Sequence, residues 1–274
     1  MDKGYIKTSD KAYLYYEIYG SGEETLLFIP GHMCTTKFYK KNAEYFADKY
    51  KVVLMDNRGF GSSSKPLHGN DVERNADDIH ELIEALDLKN VTLLGWSLSG
   101  SIVMTYAHKY QCARLNALGL IDCCLFPFSP AEWNTYNSRD YNMDDWNKKY
   151  MLWHVDIHQY VENFVNRVKP GLTEDEQQMV RDEIMKTPPW IGFALHSDWC
   201  HTDATTYLSE LTVPTIIFSG QSKGHGYAMG RYYKTQIKTY CELHEFTTGG
   251  HMMFYIESEL FNKYLEDFLN KIKG

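Results

Sequence analysis

The chain has 274 residues, enough for one large α/β or all-β domain or for two small ones. Lys and Arg number 28 against 36 Asp and Glu, a formal net charge of -8, which argues against nucleic acid and against stable association with an anionic membrane. Aromatic residues make up 15% and charged residues 23%, too apolar for a disordered chain, and no uninterrupted apolar run reaches the ~18 residues of a membrane span.

The N-terminus, Met1-Asp2-Lys3-Gly4-Tyr5-Ile6, lacks a basic stretch followed by an apolar one, which makes the cytoplasm the expected location. Residues 4–19 alternate apolar and polar around Asp10-Lys11 and predict an antiparallel hairpin at a sheet edge. Near-continuous apolar runs follow at 25–29, 51–55, 90–94, 117–121 and 214–218, the pattern of strands buried on both faces of a parallel sheet. Between them Val72, Ala76, Ile79, Ile83 and Leu86 fall at helical spacing, as do Phe261, Tyr264, Leu265, Phe268, Leu269 and Ile272 near the end. The rhythm breaks over 125–208, which has helical patches at 155–168 and 174–185 and proline-bearing breaks at 169–171 and 187–189. This stretch reads as a helical insertion after the sixth strand, dividing a core of 1–124 and 209–274.

Six cysteines without a C-x-x-C spacing do not make a disulfide scaffold, and Cys123-Cys124 reads as a pair of small buried residues. His154 and His158 share a helical face with Asp156 between them, but the glutamate and third ligand of a zinc site are missing. No metal and no cofactor is expected.

The run 90–94 leads into Gly95-Trp96-Ser97-Leu98-Ser99-Gly100 and then a helix-compatible segment. A serine at a tight strand-to-helix turn is forced into a strained conformation that exposes its hydroxyl, which makes Ser97 the candidate nucleophile. The helix start supplies the Leu98 N–H and a dipole suited to a developing oxyanion. Position 99 is serine where such a turn favours glycine.

Together with Pro30-Gly31-His32, with the turn Asp56-Asn57-Arg58-Gly59-Phe60-Gly61-Ser62-Ser63 and with Gly249-Gly250-His251, this motif resembles the α/β-hydrolase family over nearly the whole chain. The resemblance implies a mostly parallel sheet of about eight strands flanked by helices, with 125–208 as a helical lid over the site. It implies His251 as general base and the amides of His32 and Leu98 as the oxyanion hole, and it leaves Asp56 and Arg58 as turn builders. At the usual acid position this sequence has Lys223, and no Asp or Glu occurs between Leu211 and Cys241. Asp122, at the tip of the preceding strand, preserves the order nucleophile, acid, base. A Ser-His dyad and an acid from the insertion are the alternatives.

Met33, Trp96, Phe126, Trp153 and Met252 are the residues expected to line the substrate pocket. The expected activity is cleavage of a carboxylic ester or lactone. Perhydrolysis, carbon–carbon or amide cleavage by the same triad, or a ligand receptor on a hydrolase scaffold, are the rivals. Residues 125–208 hold 13 acidic and 7 basic side chains, a net of -6, so the expected partner is a neutral, apolar small molecule rather than an anion.

Overall fold

The structure is a computed structural model that describes residues 1–273 apart from 137–138, 140–143, 145–147, 149–154 and 222–225. Its centre is an eight-stranded sheet in the order β1-β2-β4-β3-β5-β6-β7-β8. β1 (Asp2–Lys7) and β2 (Tyr13–Tyr19) form the expected hairpin, with Lys11 at φ +72° in the turn and its N–H donating to the Thr8 carbonyl at 2.9 Å. β2 runs antiparallel to β4 (Lys51–Met55), and β3 (Thr25–Ile29), β4, β5 (Val91–Trp96), β6 (Leu115–Ile121), β7 (Thr215–Gly220) and β8 (Cys241–Phe246) are mutually parallel.

Burial follows the composition of the runs. Every residue of β3, β5 and β7 is buried, whereas β1 and β8, at the two edges, are largely exposed or half-buried. Helices cover the sheet: α1 (Lys40–Phe46), α2 (Val72–Ala85), α3 (Ser99–Lys109) and, in the segment between β6 and β7, α4 (Ile157–Val168), α5 (Glu174–Ile184) and α6 (Pro189–His201). Then come α7 (Tyr227–Gln236), the one-turn α8 (Met253–Ile256) and α9 (Ser258–Lys273). The inserted helices begin where their caps dictate. Asp156 accepts from Gln159 N–H, Thr173 and Glu176 form a reciprocal capping box, and Pro189 occupies the first turn of α6.

The strand order places the site. After β3 the chain moves one way to β4, then returns past β3 to β5 and continues to β8, so β3 and β5 are neighbours whose outgoing loops diverge. The crevice between such loops, at the carboxyl ends of the strands, is where an open parallel sheet binds ligands. One fully buried cation braces this end: Arg58 donates to both carboxylate oxygens of Asp78, at 2.6 and 2.7 Å, and to Asp10 in the β1–β2 turn.

Candidate active site

Ser97 follows β5 with φ +58°, a left-handed conformation that costs a non-glycine residue about 1–3 kcal/mol. The turn is held by Ser97 N–H donating to the Ile121 carbonyl at 2.9 Å and Gly100 N–H donating to the Ser97 carbonyl at 3.0 Å. Small neighbours are required here. A Cβ at Gly95 would stand 2.4 Å from the Ser99 carbonyl oxygen, and one at Gly100 would stand 2.2 Å from Cys123 Sγ. Position 99 tolerates serine because its hydroxyl has a partner. Ser99 is fully buried, its Oγ donates to the Pro30 carbonyl at 2.5 Å, and Asn57 Nδ2 donates to Ser99 Oγ at 3.3 Å. Two of the departures from the family's motifs, Pro30 where the oxyanion loop usually has histidine and Ser99 where the turn favours glycine, therefore meet in one hydrogen bond.

His251 lies in the turn after β8, behind Gly249 and Gly250, which are both at positive φ. Its Nε2 is 3.0 Å from Ser97 Oγ and its Nδ1 is 2.6 Å from Asp122 Oδ2. Asp122 leaves β6 at φ +46°, with its own N–H donating to the Phe218 carbonyl at 2.7 Å, and its Oδ1 accepts the Gly220 N–H at 2.8 Å. Both carboxylate oxygens are thus engaged. Of the three alternatives for the acid, Asp122 is the side chain brought to the imidazole, and Lys223 lies outside the described residues. Burial drives the His251 pKa well below the usual histidine value, with the positive charge of Arg167 acting in the same direction, so the resting imidazole is neutral. With Nδ1–H donating to the Asp122 carboxylate, Nε2 is left to accept from Ser97.

Pro30, Gly31 and His32 follow β3, beside this assembly. Cys34 N–H donates to the Gly31 carbonyl at 3.0 Å, with Met33 at φ +58° in the turn. Beyond it Thr36 N–H donates to Asp56 Oδ1 at 2.8 Å, and Thr35 Oγ1 donates to the buried Glu183 of α5 at 2.8 Å. Asp56 also accepts the Ser62 N–H at 2.7 Å, and burial pushes its pKa up to about 6, consistent with a turn-building role. The His32 side chain ties its loop to the inserted helices. Its Nε2 donates to the Gly192 carbonyl of α6 at 2.9 Å, which leaves Nδ1 to accept from the Tyr160 hydroxyl of α4 at 3.3 Å. Burial pushes the His32 pKa down to about 4, so the ring is neutral. Sequence reasoning missed Tyr160 and Asn57 because nothing local marks them: Tyr160 is 128 residues from its partner.

The pocket expectations divide. Met33 and Met252 are fully buried in the His32 and His251 loops, and Phe126 is half-buried on the exit from β6. Trp96 is not a lining residue. Strand neighbours face opposite sides, so with Ser97 turned to the crevice Trp96 points behind it, packed on Phe38 and Phe254, with its Nε1–H donating to the His251 carbonyl at 2.9 Å. Trp153 lies outside the described residues, as do Trp146 and His154. Two of the three described insertion tryptophans pack the segment down, Trp133 stacking on Tyr232 with centroids 4.6 Å apart and Trp199 donating to Ser101 Oγ and to the Cys124 carbonyl, while Trp190 is exposed.

A model of the alpha/beta hydrolase fold family matches residues 24–257. The chain belongs to this family. Over 273 residues this hydrolase is 26% identical to the AB hydrolase superfamily protein YisY of Bacillus subtilis, covering 97% of the chain and 98% of YisY. A bromoperoxidase from Bacillus anthracis superposes with a TM-score of 0.88 at 21% identity, covering 98% of the chain and 100% of that protein. An esterase from Exiguobacterium antarcticum gives a TM-score of 0.86 at 23% identity, with 98% and 99% covered. At these identities the structural likeness establishes the fold. No described helix of this hydrolase is long and apolar enough to cross a membrane.

Proposed function

We propose that this hydrolase cleaves a carboxylic ester or lactone through an acyl-enzyme on Ser97. The observation that carries the reading is the chain of contacts from Ser97 Oγ through His251 to Asp122, with every member held by further backbone bonds. His251 Nε2 takes the Ser97 proton as Oγ attacks the carbonyl carbon. The carbonyl oxygen becomes an oxyanion, held by the amides of Leu98 and His32. Collapse expels the alcohol, which takes the proton from His251. Water, deprotonated by the same imidazole, then attacks the acyl carbon and regenerates Ser97. Asp122 keeps the imidazole in the productive tautomer and offsets the imidazolium charge in both halves.

The segment 125–208 acts as a lid, a reading supported by the tie of His32 to Tyr160 and Gly192, which joins two of its helices to the loop carrying an oxyanion donor. The esterase among the solved relatives supports ester chemistry. The bromoperoxidase supports a second reading, in which hydrogen peroxide replaces water in the second half and the acyl group leaves as a peracid. A fluorophosphonate probe tests the shared core of both. Stoichiometric labelling of wild type, with none in Ser97→Ala, is expected, and an unlabelled folded wild-type protein refutes the reading and favours a receptor. Titrating product acid and peracid, with and without peroxide, separates the two readings.

A further inference from the structure

Helix α4 carries a second polar side chain on the face that meets the oxyanion loop. Tyr160, Phe164 and Arg167 are spaced i, i+4 and i+7 and so share one face. On that face Tyr160 reaches His32, Phe164 is buried, and the Arg167 guanidinium stands 5.0 Å from the Phe164 ring centroid. Arg167 Nε is buried without a hydrogen-bond partner, and among the described residues its guanidinium has no carboxylate within ion-pair distance. Arg58, Arg74, Arg114, Arg181 and Arg231, by contrast, each hold at least one carboxylate. This cation lies close enough to the site for its charge to act, after the leading effect of burial, on His251, His32, Tyr160, Tyr136 and Cys34.

A half-buried cation with an unsatisfied N–H is an incomplete arrangement, because it carries desolvation cost without the bond that offsets it. A carboxylate completes it, since the planar guanidinium matches that anion's geometry. We infer that Arg167 anchors a carboxylate carried by the substrate, so that the ester or lactone opened at Ser97 is a monoanion. This inference rests on the reading of Ser97 as nucleophile, and it replaces the neutral substrate expected from summed charge. One guanidinium without a carboxylate among the described residues, in a segment of net charge -6, favours one negative charge over two. The bound carboxylate also neutralises the charge that opposes imidazolium formation on His251, so productive binding and proton transfer reinforce each other.

The test compares the p-nitrophenyl monoester of adipic acid with p-nitrophenyl hexanoate at low ionic strength. In Arg167→Gln the ratio of kcat/KM for the anionic over the neutral ester should fall about 10- to 100-fold, mostly through KM, as expected for loss of a charged hydrogen-bonded pair. Arg167→Lys should give an intermediate ratio, and Arg167→Met serves if the Gln variant does not fold. A ratio within about threefold of wild type in a folded variant overturns the assignment. If wild type turns over neither ester and Ser97 resists the fluorophosphonate, the hydrolase reading fails instead. Calorimetric binding of hexanoate anion then decides the Arg167 site: binding lost in Arg167→Gln supports it, and equal or absent binding in both proteins overturns it.

Discussion

Asp122→Asn is the sharpest test of the site because the structure dictates which way the new amide must face. The Asp122 carboxylate accepts two protons from opposite sides, Gly220 N–H at 2.8 Å and the His251 Nδ1 proton at 2.6 Å. Asparagine has one acceptor oxygen. Directed at Gly220, which can only donate, it turns its NH2 toward His251 Nδ1, which must then accept. The proton moves to Nε2, and the nitrogen facing Ser97 Oγ at 3.0 Å can no longer take the serine proton. Turned the other way, the amide leaves the buried Gly220 N–H facing a donor, at a cost of about 1–3 kcal/mol, so the unproductive tautomer prevails. The expected loss in kcat is about 10³- to 10⁴-fold, with KM and melting temperature close to wild type, the scale seen when this exchange is made in another serine hydrolase. Steady-state kinetics with p-nitrophenyl hexanoate, alongside the fluorophosphonate labelling rate, measures it. A folded Asp122→Asn protein with kcat within about tenfold of wild type refutes the role and returns the dyad or another acid to consideration.

Ser99→Gly restores the residue the family motif prefers yet should lower kcat about tenfold with KM nearly unchanged, because it frees the Pro30 carbonyl and loosens the loop bearing the His32 amide; an unchanged kcat refutes this. Since burial and Arg167 both lower the His251 pKa, the imidazole stays neutral as pH falls through the ordinary histidine range. The acid limb of kcat/KM should therefore lie below pH about 6.5, and a pH profile with its limb at or above that value contradicts the burial argument. Asp78→Ala strips the fully buried Arg58 of its main partner without removing any hydrogen bond of Ser97, Asp122 or His251. It should cost about 3–5 kcal/mol, a fall of roughly 10 °C in Tm by calorimetry, while kcat at 20 °C stays near wild type.

Much of the fold was legible because its code is local. The runs at 25–29 and 51–55 coincide with β3 and β4, since strands buried on both faces need continuous hydrophobicity and little else does. The nucleophile elbow and the His251 loop were legible for a different reason: each is a glycine-marked turn at the end of such a strand. Helix α6 was not marked. Its buried positions Ile191, Gly192, Leu195, His196, Trp199 and Cys200 do recur at helical spacing, but Gly192, His196 and Cys200 dilute that face while Trp190, Phe193 and Ala194 put apolar residues on the other, so the sequence shows little contrast between the two. Trp96 was misplaced because an aromatic beside a nucleophile looks like a pocket wall until the pleat of the strand is imposed. Tyr160 and Asn57 were invisible because their roles arise from contacts closed only by the fold.

The charge of the insertion shows most plainly how a sum can point away from a site. Its 13 acidic and 7 basic residues predict a field that repels anions. In the fold many of those acids are spent elsewhere. Glu132, Asp156, Glu174, Asp175 and Asp182 are exposed, where salt screens them, while Glu162 pairs with Arg181, Glu176 with Lys41, and Glu183 with Lys37 and Lys186. Arg167 is left half-buried on the face of α4 that meets the oxyanion loop, without a carboxylate among the described residues, where its charge is screened less than those of the exposed acids. The two views predict opposite salt effects for the adipate monoester. Repulsion at the entrance makes added salt raise kcat/KM, whereas attraction to Arg167 makes added salt lower it. In Arg167→Gln only the repulsion remains, so the salt dependence should reverse sign between wild type and variant, and the same sign in both would show that the entrance, not the guanidinium, governs which esters are taken.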